Sequence, residues 1–248
     1  MTHRTMSVVA AISLAAGLFA AGAVLAGEPQ SGQPKIDDVI SHVIDAYGGE
    51  KALRGVAGFH ARGNQWALQS DQPIETERWF ARPDRLRLEL NYPDHHETRV
   101  TDGDHGWTGD SMTTLRPADE MKLIAMRMQT ARLDIPLRLL EHKDKIESRG
   151  TDPDDRIVLR VPVDAELYID YHIDPKTYHI TRMVAGKPGW PMEFSADYDQ
   201  FQMVGGVLVP YRETTYAGHT KTSTYQTTGF TWNPKDLDAN LRVPDAGD

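Results

Sequence analysis

The feature that most restricts the fold of this chain is a long succession of short segments with alternating apolar and polar side chains. Residues 85–90 show it most clearly, because three leucines alternate there with charged residues. Such alternation places apolar side chains on one face of a β-strand and polar ones on the other. Turn signals separate the segments, as at Asp102-Gly103, residues 174–177 and Gly205-Gly206. The pattern predicts successive antiparallel hairpins.

Two helical stretches accompany the strands. In residues 36–47 apolar side chains recur at spacings of three and four, which marks one helical face, and Gly48-Gly49 ends it. A second stretch is predicted to begin at Pro117, a residue suited to the first helical position. A twisted sheet of about ten strands curls and needs its apolar face covered. The chain is therefore predicted to be mostly β (α+β), an incomplete antiparallel β-barrel covered by helices.

The N-terminal residues have the layout of a secretory signal peptide. Arg4 is followed by the uncharged run 6–26, which is rich in Ala and Gly and ends in Val24-Leu25-Ala26. This predicts a signal peptide over residues 1–26, cleaved after Ala26, and a periplasmic protein. The alternative is a membrane anchor, because a run of about 20 apolar residues can cross a bilayer. The remainder divides into a leader (27–34), the half-barrel domain (35–233) and a loosely ordered C-terminal tail (234–248).

Cysteine content and charge restrict the chemistry further. The chain contains no cysteine, so it holds no disulfide and lacks the thiol that a bacterial lipoprotein signal requires. Its formal net charge is −9, which disfavours nucleic acid and anionic membrane surfaces as nonspecific partners.

No recognisable catalytic constellation is present in the sequence. It contains no G-x-S-x-G elbow, no H-E-x-x-H helix, no P-loop and no thiol nucleophile. His95-His96 with His105 invite a metal interpretation, although adjacent histidines on a strand point to opposite faces. The alternative is a pair of solvated turn histidines. We predict no catalytic residue, no metal site and no cofactor.

The second helical stretch carries the residues that favour a ligand cavity. Met121, Ile124 and Met128 lie on one apolar stripe, while Met126 adds to another side. A helix lying on a closed core would not need a second apolar side, and flexible thioethers adapt to varied apolar ligands. The alternative is ordinary core packing. The tryptophans are candidates either to line the cavity or to fill the sheet interior: Trp66, Trp79, Trp107, Trp190 and Trp232.

Several short motifs occur together in this chain. They are Arg82-Pro83-Asp84-Arg85-Leu86-Arg87, Asp102-Gly103 followed by Trp107, the helical insertion, and residues 169–174 followed by Ile180 and Arg182. Together they resemble the periplasmic outer-membrane lipoprotein carriers, the LolA-like proteins. Residues 47–53 and 204–210 resemble a broader group of exported proteins with that fold. The resemblance spans most of the chain.

The resemblance implies an unclosed antiparallel β-barrel with a helical lid that carries lipidated proteins or other lipids inside. The family's functionally sensitive arginine, in a strand-ending Arg-Pro pair, falls on Arg82. A charge inside the barrel needs a partner. The candidates are Glu75, Glu77 and Glu89. The alternative is an arginine that only holds a turn.

The leading hypothesis is a non-catalytic binding or carrier protein that shelters lipid, lipoprotein acyl chains or another apolar ligand. Its predicted ligand-binding residues are Arg82, Trp79, Trp107, Met121, Ile124, Met126 and Met128. Its expected partners are lipid or lipidated protein, with membrane-associated donor and acceptor proteins, and no nucleic acid. Two alternatives are an envelope sensor or adaptor that binds a partner protein through the same fold, and a hydrolase without a recognisable motif.

Overall fold

The structure is a computed structural model that describes residues 35–68, 72–110, 114–134, 136–190 and 192–243. The predicted signal peptide, its cleavage site and the leader (27–34) lie outside these residues. None of the helices within the described ranges is long and apolar enough to cross a membrane.

Thirteen strands form in the described part of the chain. They are β1 (Gly58–Ala67), β2 (Ile74–Ala81), β3 (Arg85–Asn91), β4 (His96–Asp102), β5 (His105–Asp110), β6 (Arg116–Pro117), β7 (Glu147–Thr151), β8 (Ile157–Pro162), β9 (Tyr168–Ile173), β10 (Ile180–Gly186), β11 (Phe194–Val204), β12 (Val207–Ala217) and β13 (Thr220–Trp232). The same ranges contain α1 (Ile36–Ala46), α2 (Glu50–Arg54), α3 (Glu120–Ala131), α4 (Leu137–Glu141) and α5 (Leu237–Asn240).

All these strands belong to one antiparallel sheet, in the order β6-β5-β4-β3-β2-β1-β13-β12-β11-β10-β9-β8-β7. The first strand pairs with the last in the middle of the sheet, from Phe59 opposite Trp232 to Ala67 opposite Ser223. We call this β1–β13 pairing the seam. The two edge strands, β6 and β7, follow each other in the chain and do not pair within the described sheet. The predicted incomplete antiparallel β-barrel with helical cover is confirmed.

The turns have the chemistry that the sequence predicts. Gly205 and Gly206 have φ angles of 57° and 86°, and a two-residue hairpin turn needs positive φ at both central positions. At the β9–β10 turn the Asp174 carboxylate accepts hydrogen bonds from the backbone N–H groups of Lys176 (2.8 Å) and Thr177 (2.9 Å). Local side-chain bonds of this kind fix the turn without help from the rest of the fold.

The main core lies between the helices and the second half of the sheet. One face of α1 buries Val39, Ile40, Val43 and Ile44, as the spacing predicts. These side chains join a cluster that includes Ile124 and Met128 of α3 and the apolar side chains of β8 to β11. The insertion between β6 and β7, which we call the lid (residues 118–146), is thereby anchored to the core through α3 and α4.

The start of the second helix differs from the prediction. Pro117 lies in β6, opposite Trp107 of β5, and α3 begins only at Glu120. Asp119 is the N-cap residue, because its carboxylate accepts a hydrogen bond from the backbone N–H of Lys122 (2.9 Å). The cap fixes the helix start three residues beyond the proline.

Part of the predicted tail is ordered. Leu237 and Leu241, at the two ends of α5, are buried against Ala81 of β2. Their burial of apolar surface holds α5 on the sheet, which corrects the expectation of a loose segment over these residues.

Candidate functional site

The candidate site is the space between the lid and the sheet face that the lid covers, which we call the inner face. Two adjoining cavities lie there. Cavity A has a volume of about 350 Å³, and its lining includes Met126 and Gln129 of α3. Cavity B has a volume of about 70 Å³, and Leu133 of the lid borders it. Arg78 and Arg132 line both cavities, so they mark the junction.

Most of the residues that line cavity A have polar side chains. Its other polar lining residues are Gln65, Arg99, Lys122, Ser195, Glu213, Thr215, Tyr216, Thr222 and Ser223. Arg99 is already paired, since its guanidinium donates to both carboxylate oxygens of Glu97 at 2.8 and 3.1 Å. The remaining charged groups of the lining are three cations and Glu213.

Cavity B is apolar and rich in aromatic rings. Its lining includes Tyr47, Phe59, Leu133, Tyr198, Leu208, Val209, Phe230 and Trp232. The rings pack on one another: Phe230 lies 4.9 Å from Phe59 and 4.6 Å from Trp232, measured between ring centroids. Such a surface can bury hydrocarbon.

A buried charge cluster forms the junction of the two cavities. Arg78 donates to Glu213 at 2.7 Å, and the Arg132 guanidinium lies 3.6 Å from the other carboxylate oxygen. All three residues are only 7 % exposed. Burial would raise the pKa of Glu213, but the charges of Arg78 and Arg132 outweigh that effect and lower it. The cluster of two cations and one anion therefore keeps a net positive charge.

The cluster leaves hydrogen-bond donors unpaired. Arg78 Nε, Arg132 Nε and Arg132 Nη1 have no hydrogen-bond partner among the described residues. A buried donor without a partner costs about 1–3 kcal/mol. Three unpaired donors on two neighbouring arginines call for an explanation.

A glycine on β1, Gly63, lets the charge cluster form across the seam. Arg78 lies on β2 and Glu213 on β12, with β1 and β13 between them. The guanidinium of Arg78 stands 3.8 Å from the ring centroid of Tyr225 on β13. A Cβ atom on Gly63 of β1 would lie 2.7 Å from that ring. The absence of a side chain at Gly63 thus lets the ring lie flat beneath the arginine.

Arg82 binds the lid. Its guanidinium donates two hydrogen bonds to the Asp134 carboxylate, the longer of which measures 3.4 Å. It donates a third to Glu141 at 2.9 Å. Asp134 is almost wholly buried and also lies 3.8 Å from Arg138. Arg82 and Asp134, together with Leu133 and Trp232, border a further cavity of about 30 Å³ next to cavity B. The arginine therefore ties the end of β2 to Asp134, which precedes α4, and to Glu141, the last residue of α4.

The predicted partners of Arg82 are wrong. Glu77 pairs with Arg62 at 3.2 Å, and Glu89 pairs with Arg87. Both glutamates, like Glu75, lie on the outer face, because residues two apart in a strand share a face. The true partners come from the insertion, which folds back over the strand end.

The tryptophans predicted for the cavity lie elsewhere. Trp79 stacks on His60 at 4.7 Å and packs against the Ala81, Leu237 and Leu241 cluster on the outer face. Trp107 is opposite Val100 and stacks loosely with His105 at 6.0 Å. Neither tryptophan lines cavity A or cavity B. Trp232, by contrast, is part of the lining of cavity B.

The methionine stripe of α3 divides between three environments. Ile124 and Met128 are buried in the main core, whereas Met121 is 64 % exposed. Met126 lines cavity A. The two apolar sides of the helix thus have separate explanations, one in the core and one in the cavity.

Sequence reasoning missed Arg78 and Glu213, although a signal existed. Arg78 is in phase with the buried Ile74, Thr76 and Phe80 of β2, and Glu213 is in phase with Val207 and Val209 of β12. A charged residue on the apolar side of an alternating strand is buried and needs a compensating charge.

The histidines near the β3–β4 turn are engaged in local contacts. His95 lies 2.7 Å from the Asp94 carboxylate, and His96 lies 2.6 Å from the Asn91 side chain. Across the described ranges, no group of three or more potential ligand side chains is arranged to hold a metal ion.

An unclosed antiparallel sheet with a helical lid over an internal cavity defines the class of fold. Among solved structures, the LolA superfamily protein NE2245 from Nitrosomonas europaea matches with a TM-score of 0.53 and 10 % identity, over 81 % of this chain and 96 % of that one. A DUF1329 family protein from Desulfovibrio piger matches with a TM-score of 0.53 and 9 % identity, over 84 % and 97 %. The chain thus has the LolA-like fold, and the resemblance predicted from its motifs is confirmed.

A putative outer membrane lipoprotein-sorting protein domain from Vibrio parahaemolyticus is also similar, with a TM-score of 0.49 and 9 % identity, over 84 % of this chain and 100 % of that one. Compared by sequence, the chain matches no family model and no curated protein.

Proposed function

We propose that this protein is a non-catalytic periplasmic binding or carrier protein that shelters the acyl chain of a lipid or of a lipidated protein, or another apolar ligand. The observation that carries the proposal is cavity B, an apolar and aromatic pocket beneath a helical lid. The LolA superfamily fold supports it. The predicted signal peptide supports the periplasmic location.

Burial of hydrocarbon supplies the driving force in this proposal. Each methylene group removed from water contributes about 0.8 kcal/mol, so ten of them contribute about 8 kcal/mol before the costs of ordering the ligand. Cavity B is too small for such a chain at about 70 Å³. A cargo of that length requires the part of the lid just after Arg132, at Leu133, to move away from the inner face.

Arg82 is the residue that opposes this movement. Its contacts with Asp134 and Glu141 stabilise the closed lid, and a closed lid competes with a long ligand for the same space. In the proposed cycle the ion pairs favour release of cargo to a membrane-associated acceptor, and uptake from a donor breaks them.

Two measurements on the mature protein test the proposal. Mass spectrometry of an organic extract of the purified protein should find a bound lipid in stoichiometric amount. Displacement of a fluorescent fatty acid should give saturable binding that Leu133→Asn in cavity B weakens by about tenfold, since a polar group then stands in the apolar pocket. Met121→Asn, at an exposed position of the same lid, is the matched control and should bind like wild type.

The opposite results are equally clear. A protein that carries no lipid and binds no fatty acid is not a lipid carrier. A stoichiometric protein partner recovered in its place would favour the sensor or adaptor alternative.

A further inference from the structure

The charge of the inner site is opposite to that of the whole chain. The chain has a formal net charge of −9. Arg78, Arg132 and Lys122 line cavity A with Glu213 as the one acid of its lining, once Arg99 is paired with Glu97. A cation-lined cavity in an acidic protein concentrates anions at that place.

The two buried arginines have hydrogen-bond donors that are not used within the described protein. Glu213 occupies one donor of Arg78, while Arg78 Nε and two nitrogens of Arg132 stay without a hydrogen-bond partner among the described residues. Guanidinium groups present several donors in a planar fork that matches a carboxylate or a phosphate. Both arginines are more than nine-tenths buried and both border the cavities.

Charge arithmetic at the buried cluster favours an anion with a single negative charge, because Lys122, the third cation of the cavity lining, is exposed to solvent. Two arginines and one glutamate carry a net charge of plus one, which one monoanion neutralises. A dianion would leave an uncompensated negative charge in a buried place, which is costly.

The position of the two arginines between cavity A and cavity B indicates that the ligand also has an apolar part. They stand at the junction, so a head group bound to them in cavity A has the aromatic lining of cavity B within reach. A ligand that fills both must be amphipathic, with one anionic end and one hydrocarbon end.

We propose that Arg78 and Arg132 bind the head group of a single-chain, monoanionic amphiphile, a long-chain carboxylate, whose hydrocarbon enters cavity B. This inference rests on the proposed function, because it specifies the ligand of the same cavity. It also explains why the structure keeps two buried arginines around one glutamate.

Calorimetry on the wild-type protein with three probes, palmitate, hexadecanol and acetate, distinguishes a failure of the anionic site from a failure of the proposed carrier function. Palmitate should bind at least about tenfold more tightly than hexadecanol, since hydrogen bonds between charged groups discriminate by that much. Acetate alone should bind too weakly to detect. Equal affinity for palmitate and hexadecanol would overturn the anionic site while leaving an apolar carrier, whereas binding of neither would overturn both.

Variants then assign the effect to the arginines. Arg132→Met should weaken palmitate binding by about tenfold or more and change hexadecanol binding by less than about twofold. Arg132→Lys keeps the charge and loses the planar fork, so its palmitate affinity should fall between the other two. Arg149→Met, at an exposed arginine that pairs with Glu147, is the control and should match wild type.

Thermal unfolding of each variant guards against a folding defect, and Arg132→Lys remains informative if Arg132→Met does not fold. A parallel loss of palmitate and hexadecanol binding in a folded Arg132 variant would show that the cluster only supports the structure, and the inference would be wrong.

Discussion

Gly48 and Gly206 lie in direct contact: a Cβ atom on Gly48 would stand 2.0 Å from the carbonyl oxygen of Gly206. Gly48 follows α1, and Gly206 is in the β11–β12 turn. The backbone N–H of Leu208 also donates to the carbonyl of Tyr47 at 3.2 Å. The two motifs at residues 47–53 and 204–210 therefore meet in space, and together they dock the N-terminal helix on the hairpin.

We expect Gly48→Ala to destabilise the protein far more than Gly49→Ala. Both glycines have positive φ angles, 112° and 87°, but nothing lies within 4 Å of a Cβ on Gly49. Gly49→Ala therefore reports the cost of the backbone conformation alone, about 1–3 kcal/mol for a φ of 87° with a ψ of 158°. Gly48→Ala adds a clash with backbone and should cost about 3 kcal/mol or more in urea unfolding. Equal losses would contradict the contact.

Arg82→Leu should loosen the lid and lengthen the residence time of bound ligand. The substitution removes the contacts with Asp134 and Glu141 that favour the closed lid, so the open, occupied form gains population. Hydrogen exchange should rise at residues 134–142, and dissociation of a fluorescent fatty acid should slow. Arg85→Leu, whose partner Asp238 is exposed, is the matched control. Unchanged exchange and release in Arg82→Leu would show that the arginine only holds the strand end.

Asp152 should stabilise the fold in a way that is lost in acid. Burial opposes its charge, but hydrogen bonds from His172 and Arg156 outweigh that effect and lower the pKa of Asp152 to about 2, from an ordinary value of 3.8. A carboxylate with a lowered pKa stabilises the folded state fully above its unfolded pKa, and the effect fades as pH falls towards 2.

The test compares Asp152→Asn with wild type by denaturant unfolding at pH 7 and pH 3. The variant should be less stable by roughly 1 kcal/mol at pH 7, allowing for solvent screening, and by less at pH 3. Asp154→Asn, at a carboxylate that is 72 % exposed, is the control. A difference that grows towards low pH would contradict the assignment.

Gly63→Ala should disturb the charge cluster through Tyr225. The new Cβ would stand 2.3 Å from the carbonyl oxygen of Gln226 and 2.7 Å from the Tyr225 ring, on which the Arg78 guanidinium rests. We expect a loss of about 2 kcal/mol or more in stability and weaker ligand binding. Gly229→Ala, also at the seam but with nothing within 4 Å of its Cβ, is the control and should be nearly neutral. Equal effects of the two substitutions would argue against the close approach.

Local patterns were sufficient to predict the strands, the first helix and the turns. Alternation in residues 85–90, helical spacing in residues 36–47 and the Gly205-Gly206 turn all depend on neighbours in the chain, and the structure has each of them. For Arg82 the resemblance left two alternatives open, a role at the cavity rim and a contact that only holds a turn.

Contacts between distant segments could not be predicted in the same way. Alternation places Trp79 on one face of β2 and Arg78 on the other, yet it does not say which face the lid covers. The partners of Arg82 were wrong because the route of the insertion back to the strand end is a property of the whole fold. The ion pair between Arg78 and Glu213 likewise depends on the hydrogen bonding of β1 to β13, which no local sequence pattern predicts.

The seam also sets an order of assembly. All neighbouring strands of the described sheet except β1 and β13 are consecutive in the chain, so each half can form from local hairpins. Pairing of β1 with β13 joins the two strands that are farthest apart in the chain, so it closes the longest loop, and we expect it to be slower than hairpin formation. Arg78 and Glu213 stand on opposite sides of that closure. A chain lacking β13 would therefore keep most of the hairpins but could not bring Arg78 and Glu213 together, and we expect the protein to bind ligand only when its final strand is in place.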